Sequence, residues 1–339
     1  MPDFTSTEKF MKYLLNFFTL FVFLLAGFCQ ISAQEKPEKN KNEKFVAAPI
    51  EVKANISVSD AAGNVAADDI KQTDLRIFED GVEQKITYFA KKENVLNLGF
   101  VMDNTGSMRS RLEEIVSTGS GVIDSLTSND RAFITRFVSS DKVQLVQDWT
   151  ADKAKLKIGM SNLYVEGGQS AVIDGLYASV KEKILDSAAK NPSQRHAILL
   201  ISDCENRASY YKLEQLLALT KGADIQIFVL ADLSDLTNEF NSFTKLKNAR
   251  KNAEYLAHIL ALQTGGTAFV QTKKKEKKDL SGVLKTLIAE MRSPYVVGYT
   301  STNQKRDGLP RKLSVQVADS AQGEKRQGVI RENFVVPKD

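Results

Sequence analysis

The stretch VLNLGFVMDNTGS, residues 95–107, decides the fold of this chain. Residues 95–102 are almost continuously apolar, as in a strand of a parallel sheet that is covered on both faces. Asp103 ends this apolar run, and the small polar residues Thr105 and Ser107 follow before an amphipathic helix. A buried strand that ends in a polar loop and leads into a helix predicts an α/β domain.

The alternation of strand and helix continues to residue 292. Two further buried strands are predicted at 197–202 (AILLIS) and 225–231 (IQIFVLA), with amphipathic helices before and between them. Residues 132–138 and 143–146 are apolar runs so close together that we expect a hairpin. This spacing predicts a doubly wound α/β fold with a mostly parallel, Rossmann-like sheet over residues 95–292.

The segments on either side of this domain have the patterns of β-strands. Apolar and polar residues alternate from residue 50 to residue 58, and Asp80-Gly81 is a hairpin turn signal that separates predicted strands at 75–78 and 82–89. A few strands in so short a segment make a marginal sheet. We therefore predict that residues 45–92 pair with residues 293–339 in one small β-sandwich-like domain, into which the α/β domain is inserted.

The first 33 residues differ in kind from the rest of the chain. Two lysines precede an apolar run over residues 13–28, and residues 31–33 (ISA) are typical of a signal-peptide cleavage site. Because a membrane-spanning helix needs about 20 apolar residues, a secretory signal peptide over 1–33 is favoured over an uncleaved anchor. Residues 34–44 (QEKPEKNKNEK) predict a flexible, charged linker.

The composition of the whole chain excludes several classes of function. Its 339 residues include 46 Lys and Arg against 42 Asp and Glu, and this net charge of +4 argues against a nucleic-acid-binding protein. Two cysteines and two histidines are too few for a zinc finger, an iron–sulfur ferredoxin or a disulfide scaffold. Removal of residues 1–33 would leave Cys204 as the only cysteine, so no internal disulfide is expected.

Polar residues follow or precede three predicted elements at the carboxyl end of the sheet, where open α/β sheets bind their ligands. They are Asp103, Thr105 and Ser107 after the first strand, Ser170 before a helix, and Asp203 after the AILLIS strand. We expect the three loops to bring carboxylate and hydroxyl oxygens together, a donor set that suits Mg²⁺. The alternative is that these residues cap helix N-termini, as Asp, Ser and Thr often do.

These residues resemble the metal-ion-dependent adhesion site (MIDAS) of the von Willebrand factor type A (VWA) domain. Asp103-x-Thr105-x-Ser107 is similar to the Asp-x-Ser-x-Ser motif of that family, with Thr105 in place of the first serine. Ser170 stands where the family has a threonine, and Asp203 matches the family's distal aspartate. The resemblance implies that these five residues hold Mg²⁺, with Mn²⁺ or Ca²⁺ as other possible ions.

The resemblance covers about residues 95–292 and continues into the flanks. Within the VWA-like part, Cys204 departs from the family pattern, in which a glycine is common at that position. Residues 75–81 (LRIFEDG) and 295–299 (YVVGY) are similar to segments of the bacterial, acidobacterial-type VWFA-related proteins, which are exported. The resemblance therefore implies a VWA domain with an added β domain in a secreted or periplasmic protein.

A non-enzymatic, adhesion-type binding module is the function that this resemblance implies. The ion would keep one coordination position open for a carboxylate of an unknown protein partner, and the membrane would be contacted only through the N-terminal segment. Two alternatives stay open. One is a metal-assisted hydrolase, for which Glu205 is the only acidic candidate near the ion. The other is a structural envelope module with an inactive site.

The remaining chemically interesting residues have ordinary interpretations. We predict that His196 lies at the surface, that His258 lies on a helix face and that Cys204 is a small buried thiol. Trp149 is interpreted as a packing residue. The basic run at 273–278 (KKKEKK) predicts a solvated loop.

Overall fold

The computed structural model describes residues 48–60, 70–239, 248–273 and 280–338. The predicted signal peptide and linker, and most of the basic run at 273–278, lie outside these residues. Within the described ranges, no helix has both the length and the apolar character needed to cross a membrane.

The described elements alternate between strand and helix in the middle of the chain and are strands at both ends. The strands are β1 (Glu51–Asp60), β2 (Leu75–Glu79), β3 (Val82–Gln84), β4 (Ile86–Lys91), β5 (Leu96–Asp103), β6 (Arg131–Ser139), β7 (Lys142–Thr150), β8 (Arg195–Ser202), β9 (Gln226–Asp232), β10 (Ala268–Gln271), β11 (Tyr295–Thr300), β12 (Pro310–Val317), β13 (Arg326–Ile330) and β14 (Asn333–Val335). The helices are α1 (Leu112–Ser125), α2 (Lys153–Ser161), α3 (Val172–Ser179), α4 (Leu185–Lys190), α5 (Leu213–Gly222), α6 (Ala249–Thr264) and α7 (Leu280–Met291).

A six-stranded sheet in the order β10-β9-β8-β5-β6-β7 forms the centre of the α/β domain. All neighbours in it are parallel except β7, which pairs antiparallel with β6 as the predicted hairpin. β5 and β8 are buried along their whole length, because they lie in the middle of the sheet with helices on both faces. The predicted doubly wound, mostly parallel α/β fold is confirmed.

Two apolar layers cover the faces of this sheet. Ile198 and Leu200 of β8 point into one layer, and Leu199 and Ile201 point into the other, as the two-residue period of a strand requires. The first layer is completed by α3, α5 and α6, and the second by α1, α2 and α7. Helices on both faces leave the strand ends as the place where polar loops meet.

Strands from both ends of the chain share two antiparallel sheets outside the α/β domain. The orders are β13-β1-β11-β4 and β14-β12-β2-β3, so N-terminal strands pair with C-terminal strands in both sheets. The two sheets enclose one apolar core that includes Val52, Ile77, Val297 and Leu313. The β domain predicted from the flanks is therefore present, with the α/β domain inserted between its halves.

The predicted single strand at 82–89 is wrong, because the structure divides this segment between two sheets. Val82–Gln84 pairs with β2 across the Asp80-Gly81 turn, whereas Ile86–Lys91 pairs with β11. Helix α2 was also not predicted. Its lysines alternate with apolar residues over 153–158, which hides the helical spacing of its buried residues Leu156, Gly159 and Met160.

His196 does not lie at the surface as predicted. It is 3% exposed at the start of β8, where its Nε2 lies 3.1 Å from the Ser187 hydroxyl. Arg131 donates to the same hydroxyl oxygen at 2.7 Å. Burial lowers the pKa of His196 to about 4, so the imidazole is neutral at physiological pH.

Polar contacts join the α/β domain to the β domain. The buried Arg195 of β8 donates from Nη1 to Asn55 Oδ1 of β1 at 2.9 Å, and from Nη2 to the Ser293 carbonyl. Burial lowers the pKa of this guanidinium to about 10. Nearby, Asp224 forms ion pairs with Lys53 and Lys92 at 2.7 and 2.9 Å. These contacts fix the orientation of the inserted domain.

Candidate metal centre

The five predicted site residues meet at the carboxyl ends of β5 and β8. Asp103 is the last residue of β5, and Asp203 follows the last residue of β8. Thr105 and Ser107 enter a 3₁₀ turn before α1, and Ser170 lies two residues before α3. The sheet brings them together because β5 and β8 are parallel neighbours that end at the same edge.

Asp103 is the centre of this cluster. Its Oδ1 accepts hydrogen bonds from the Thr105 hydroxyl at 2.7 Å and from the Thr105 backbone N–H at 3.0 Å. Its Oδ2 accepts from the Ser202 hydroxyl at 2.6 Å and from the Ser170 hydroxyl at 3.5 Å. The Thr105 and Ser107 hydroxyl oxygens lie 3.0 Å apart. Hydroxyls from two loops and from the end of β8 thus converge on one carboxylate.

The hydroxyls of Thr105 and Ser170 do not cap helices, which was the alternative interpretation. Thr105 stands at the N-cap of the 3₁₀ turn at Gly106–Arg111, yet its side chain makes no capping hydrogen bond. Helix α3 has Ala171 at its N-cap position, and the Ser170 hydroxyl points to Asp103 instead. Both hydroxyls face the carboxylate cluster and remain available as ligands.

Ser202 belongs to the cluster and was not singled out from the sequence. Its hydroxyl donates to Asp103 Oδ2 and accepts from the Cys204 backbone N–H at 2.8 Å. The signal that would have identified it is its position, because the last residue of a buried strand reaches the same edge as the loop that follows. The Ser202 hydroxyl therefore helps to orient the Asp103 carboxylate from the end of the neighbouring strand β8.

The two aspartates are buried close to each other, and each is 1% exposed. Burial, together with repulsion from Asp203, raises the pKa of Asp103 to about 7. Burial also raises the pKa of Asp203, against the hydrogen bonds that it receives from the Ser107 hydroxyl and from the Glu205 N–H at 2.9 Å. Two buried carboxylates with neutral hydroxyl neighbours favour the binding of a cation.

The cluster offers oxygen ligands only. The thiol of Cys204 is buried, as predicted, and burial raises its pKa well above the ordinary value, so it stays protonated. In the described part of the chain, no three His, Cys, Asp or Glu side chains form a metal-binding group. A cation at the two carboxylates would therefore take its further protein ligands from hydroxyls.

Two of the loops at the cluster have unusual backbone conformations. Cys204 has a φ of +54°, in the left-handed region that glycine adopts without cost. This conformation explains why a glycine is common at the position in proteins that the sequence resembles. Ser170 has a φ of +25°, and its carbonyl accepts from the N–H groups of Arg207 and Ala208 at 2.9 and 3.3 Å. The loops after β8 and before α3 are thereby joined.

The rim of the cluster is open to solvent. Gly106 and residues 167–169 are exposed, and Ser107 is half-buried above the two buried aspartates. Arg207 forms an ion pair with the buried Glu205 beside this opening. A ligand can therefore approach from the loop side of the sheet edge.

The sequence of the α/β domain matches the model of a known family, the von Willebrand factor type A domain, over residues 97–261. This part of the chain is a VWA domain. VWA domains are in general interaction modules, and they typically hold a divalent cation at the MIDAS. The match leaves both flanking segments outside, so their narrower resemblance to VWFA-related proteins stays a prediction.

A curated relative of this chain is an uncharacterized protein, sll0103, of Synechocystis sp. (strain ATCC 27184 / PCC 6803 / Kazusa). It is 33% identical over 113 residues, which are 33% of this chain and 26% of that protein. The chain thus matches about a quarter of the length of this relative.

Solved structures with a similar fold include an aerotolerance-related membrane protein of Bacteroides fragilis. It is 17% identical with a TM-score of 0.43, over 58% of this chain and 98% of that one. Another is proximal thread matrix protein 1 of the mussel byssus with a zinc-occupied MIDAS motif. It is 14% identical with a TM-score of 0.43, over 63% of this chain and 49% of that one. Similarity at this level does not transfer function.

Proposed function

We propose that the VWA domain is an exported binding module that captures an acidic residue of a partner protein through a divalent cation. The residues that would hold the ion are Asp103, Thr105, Ser107, Ser170 and Asp203. The ion would supply an electropositive position for the partner's carboxylate. The observation that supports this proposal most strongly is the pair of buried carboxylates surrounded by hydroxyls.

Mg²⁺ is the ion that this ligand set favours. Carboxylate and hydroxyl oxygens are hard donors, and two carboxylates with several neutral ligands leave room for water or a partner's oxygen in an octahedral shell. The thiol of Cys204 is fully buried and, among the residues described, accompanies no other soft donor at the cluster. Mn²⁺ and Ca²⁺ share the preference for oxygen and are the other candidates.

A hydrolase is the less favoured function. Its only acidic candidate near the ion was Glu205, and that carboxylate is buried and already paired with Arg207. A general base must reach the proton that it removes. A carboxylate held in an ion pair is a poor base, so the arrangement supports binding rather than turnover.

Isothermal titration of the mature protein with Mg²⁺, Mn²⁺ and Ca²⁺ tests the metal site. We expect one-site binding in the wild type and none in Asp103→Ala. The matched control is Asp186→Ala, because Asp186 is an exposed carboxylate on α4 whose contact is with Lys190. Equal binding by the wild type and Asp103→Ala would refute the site. Absence of binding by all three proteins would favour a structural module with an inactive site.

Export is tested separately from metal binding. The N-terminal pattern predicts cleavage after Ala33, so mass spectrometry of the protein from the cell envelope or medium should find Gln34 as the first residue. An intact N-terminus in the membrane fraction would instead support the uncleaved anchor.

A further inference from the structure

A second cavity lies next to the metal centre on the same edge of the sheet. It has a volume of about 420 Å³ and opens between the β6–β7 turn, helix α3 and the loop that follows β8. Two of these three elements also build the metal centre, since Ser170 precedes α3 and Asp203 begins the loop after β8. A partner that reaches the metal centre therefore passes close to this cavity.

Three tyrosine rings form the aromatic part of the cavity. Tyr177 and Tyr211 are stacked with their centroids 3.7 Å apart. Tyr210 stands at 89° to Tyr211 with a centroid distance of 5.2 Å, and it is 81% exposed. Perpendicular aromatic walls of this kind bind cations through the electron-rich faces of the rings.

The charges around the cavity are mostly negative. Asp141, Asp174 and Glu182 contribute carboxylates, against the single ammonium of Lys181. Asp174 is buried and accepts hydrogen bonds from the Ser140 hydroxyl and from two backbone N–H groups, of Tyr210 and Tyr211, at 2.7 and 2.8 Å. Within the described residues, no lysine or arginine forms an ion pair with Asp174. Its charge remains available to attract a cation.

From these observations we propose that the cavity binds a lysine or arginine side chain of the same partner that offers a carboxylate to the metal centre. Ser170 lies two residues before α3 and Asp174 lies in the first turn of α3, so the metal centre and the cavity are neighbours along the chain. Side chains two residues apart on one face of an extended strand are separated by about 7 Å. An extended partner segment with an acidic and a basic residue at positions i and i+2 is therefore the ligand with which we test whether one partner engages both sites.

The role of the cavity in partner capture rests on the proposed function, but its affinity for a cation does not. The first test therefore omits divalent cations. Titration of the ¹⁵N-labelled mature protein in EDTA compares N-acetyl-lysine methylamide with the neutral N-acetyl-norleucine methylamide. We expect saturable shifts of the Ser140, Tyr210 and Tyr211 amide signals, with the lysine derivative at least about fivefold tighter.

Variants assign this binding to the cavity. Tyr210→Ala removes an exposed ring, and Glu182→Gln removes an exposed charge, so neither should disturb the core. Each is expected to weaken binding of the lysine derivative at least about threefold. The control is Tyr164→Ala, which removes another exposed ring, on the loop before Ser170 and outside the cavity. Equal affinity for the two derivatives, or an unchanged affinity of Tyr210→Ala, would overturn the proposal.

A second test links the cavity to the metal centre. In Mg²⁺, a tripeptide with aspartate at one end and lysine at the other should bind more tightly than the same peptide with norleucine. If the lysine derivative binds in EDTA but this difference is absent in Mg²⁺, the role in partner capture is overturned and the cation site stands. If the wild type fails to bind Mg²⁺ at all, the proposed function fails independently of the cavity.

Discussion

Replacement of Asp103 by asparagine should stabilise the metal-free protein while it abolishes the response to Mg²⁺. The side chain is buried beside a second buried carboxylate, and its pKa is raised to about 7. Between about pH 4 and pH 7 the folded protein therefore binds a proton at Asp103 that the unfolded chain does not bind. Stability from this group is present at acidic pH and is lost as the pH rises through about 7.

The size of the effect follows from that difference in pKa. At 1.36 kcal/mol for each pKa unit, a rise from 3.8 to about 7 corresponds to about 4 kcal/mol lost at alkaline pH. Asparagine removes this penalty, but its amide N–H groups face the hydroxyls of Ser202 and Ser170, which now donate to Oδ2. Rearrangement of these hydrogen bonds costs about 1–2 kcal/mol. A net stabilisation of about 2 kcal/mol remains.

Thermal unfolding at pH 8 measures both halves of this prediction. In EDTA, the melting temperature of Asp103→Asn should exceed that of the wild type by about 4 °C or more. Addition of Mg²⁺ should raise the melting temperature of the wild type but not that of Asp103→Asn, since a ligand stabilises the state that binds it. The control Asp186→Asn should behave as the wild type. A less stable Asp103→Asn protein in EDTA, or an equal Mg²⁺ effect on both proteins, would refute the reasoning.

Three further predictions concern the fold that supports the site. In the Asp103→Asn background, the contribution of His196 to the free energy of unfolding should fall by about 2 kcal/mol from pH 7.5 to pH 5, because the buried neutral imidazole has a pKa of about 4 against 6.5 in the unfolded chain. Urea unfolding of this protein and of His196→Gln in the same background measures the difference, and an equal pH dependence of the two would contradict the burial of His196. Ion pairs with Lys53 and Lys92 lower the pKa of Asp224, so this contribution is lost as the pH falls below about 4. Asp224→Asn should cost about 2 kcal/mol at pH 7 and less at pH 2.5, measured by the same unfolding assay. Gly266→Ala should lower the free energy of unfolding by more than about 3 kcal/mol, because a Cβ would lie 2.0 Å from the Ile227 carbonyl oxygen. A melting temperature close to that of the wild type would show that this contact is not rigid.

The α/β architecture and the positions of the candidate ligands were predictable because both follow from local sequence. Residues 95–102 are almost continuously apolar, a pattern typical of a central strand in a sheet that is covered on both faces. Asp103 and Asp203 directly follow two apolar runs of this kind, so a parallel sheet must place them at one edge. Glycines also set two chain reversals that the sequence predicted. Gly81 in the hairpin turn and Gly265 at the end of α6 both have a positive φ, which glycine adopts without cost.

Other features depended on contacts between residues far apart in the chain. The sequence alone did not show that residues 82–91 divide between two sheets, because the partners that separate them, β2 and β11, lie more than 200 residues apart. Burial of His196 depends on Ser187 and Arg131, on two other elements.

The sequence by itself thus determined the order of strands and helices and the supply of oxygen ligands, since strand and helix periods and loop chemistry are properties of neighbouring residues. Only the tertiary structure decided that the Ser202 hydroxyl donates to Asp103 and that Arg207 forms an ion pair with Glu205. It also decided that Tyr210 and Asp174 border a cavity next to the metal centre. The physical reason is that charge, burial and shape at a site are set by side chains that come together only when the sheet and its helices pack.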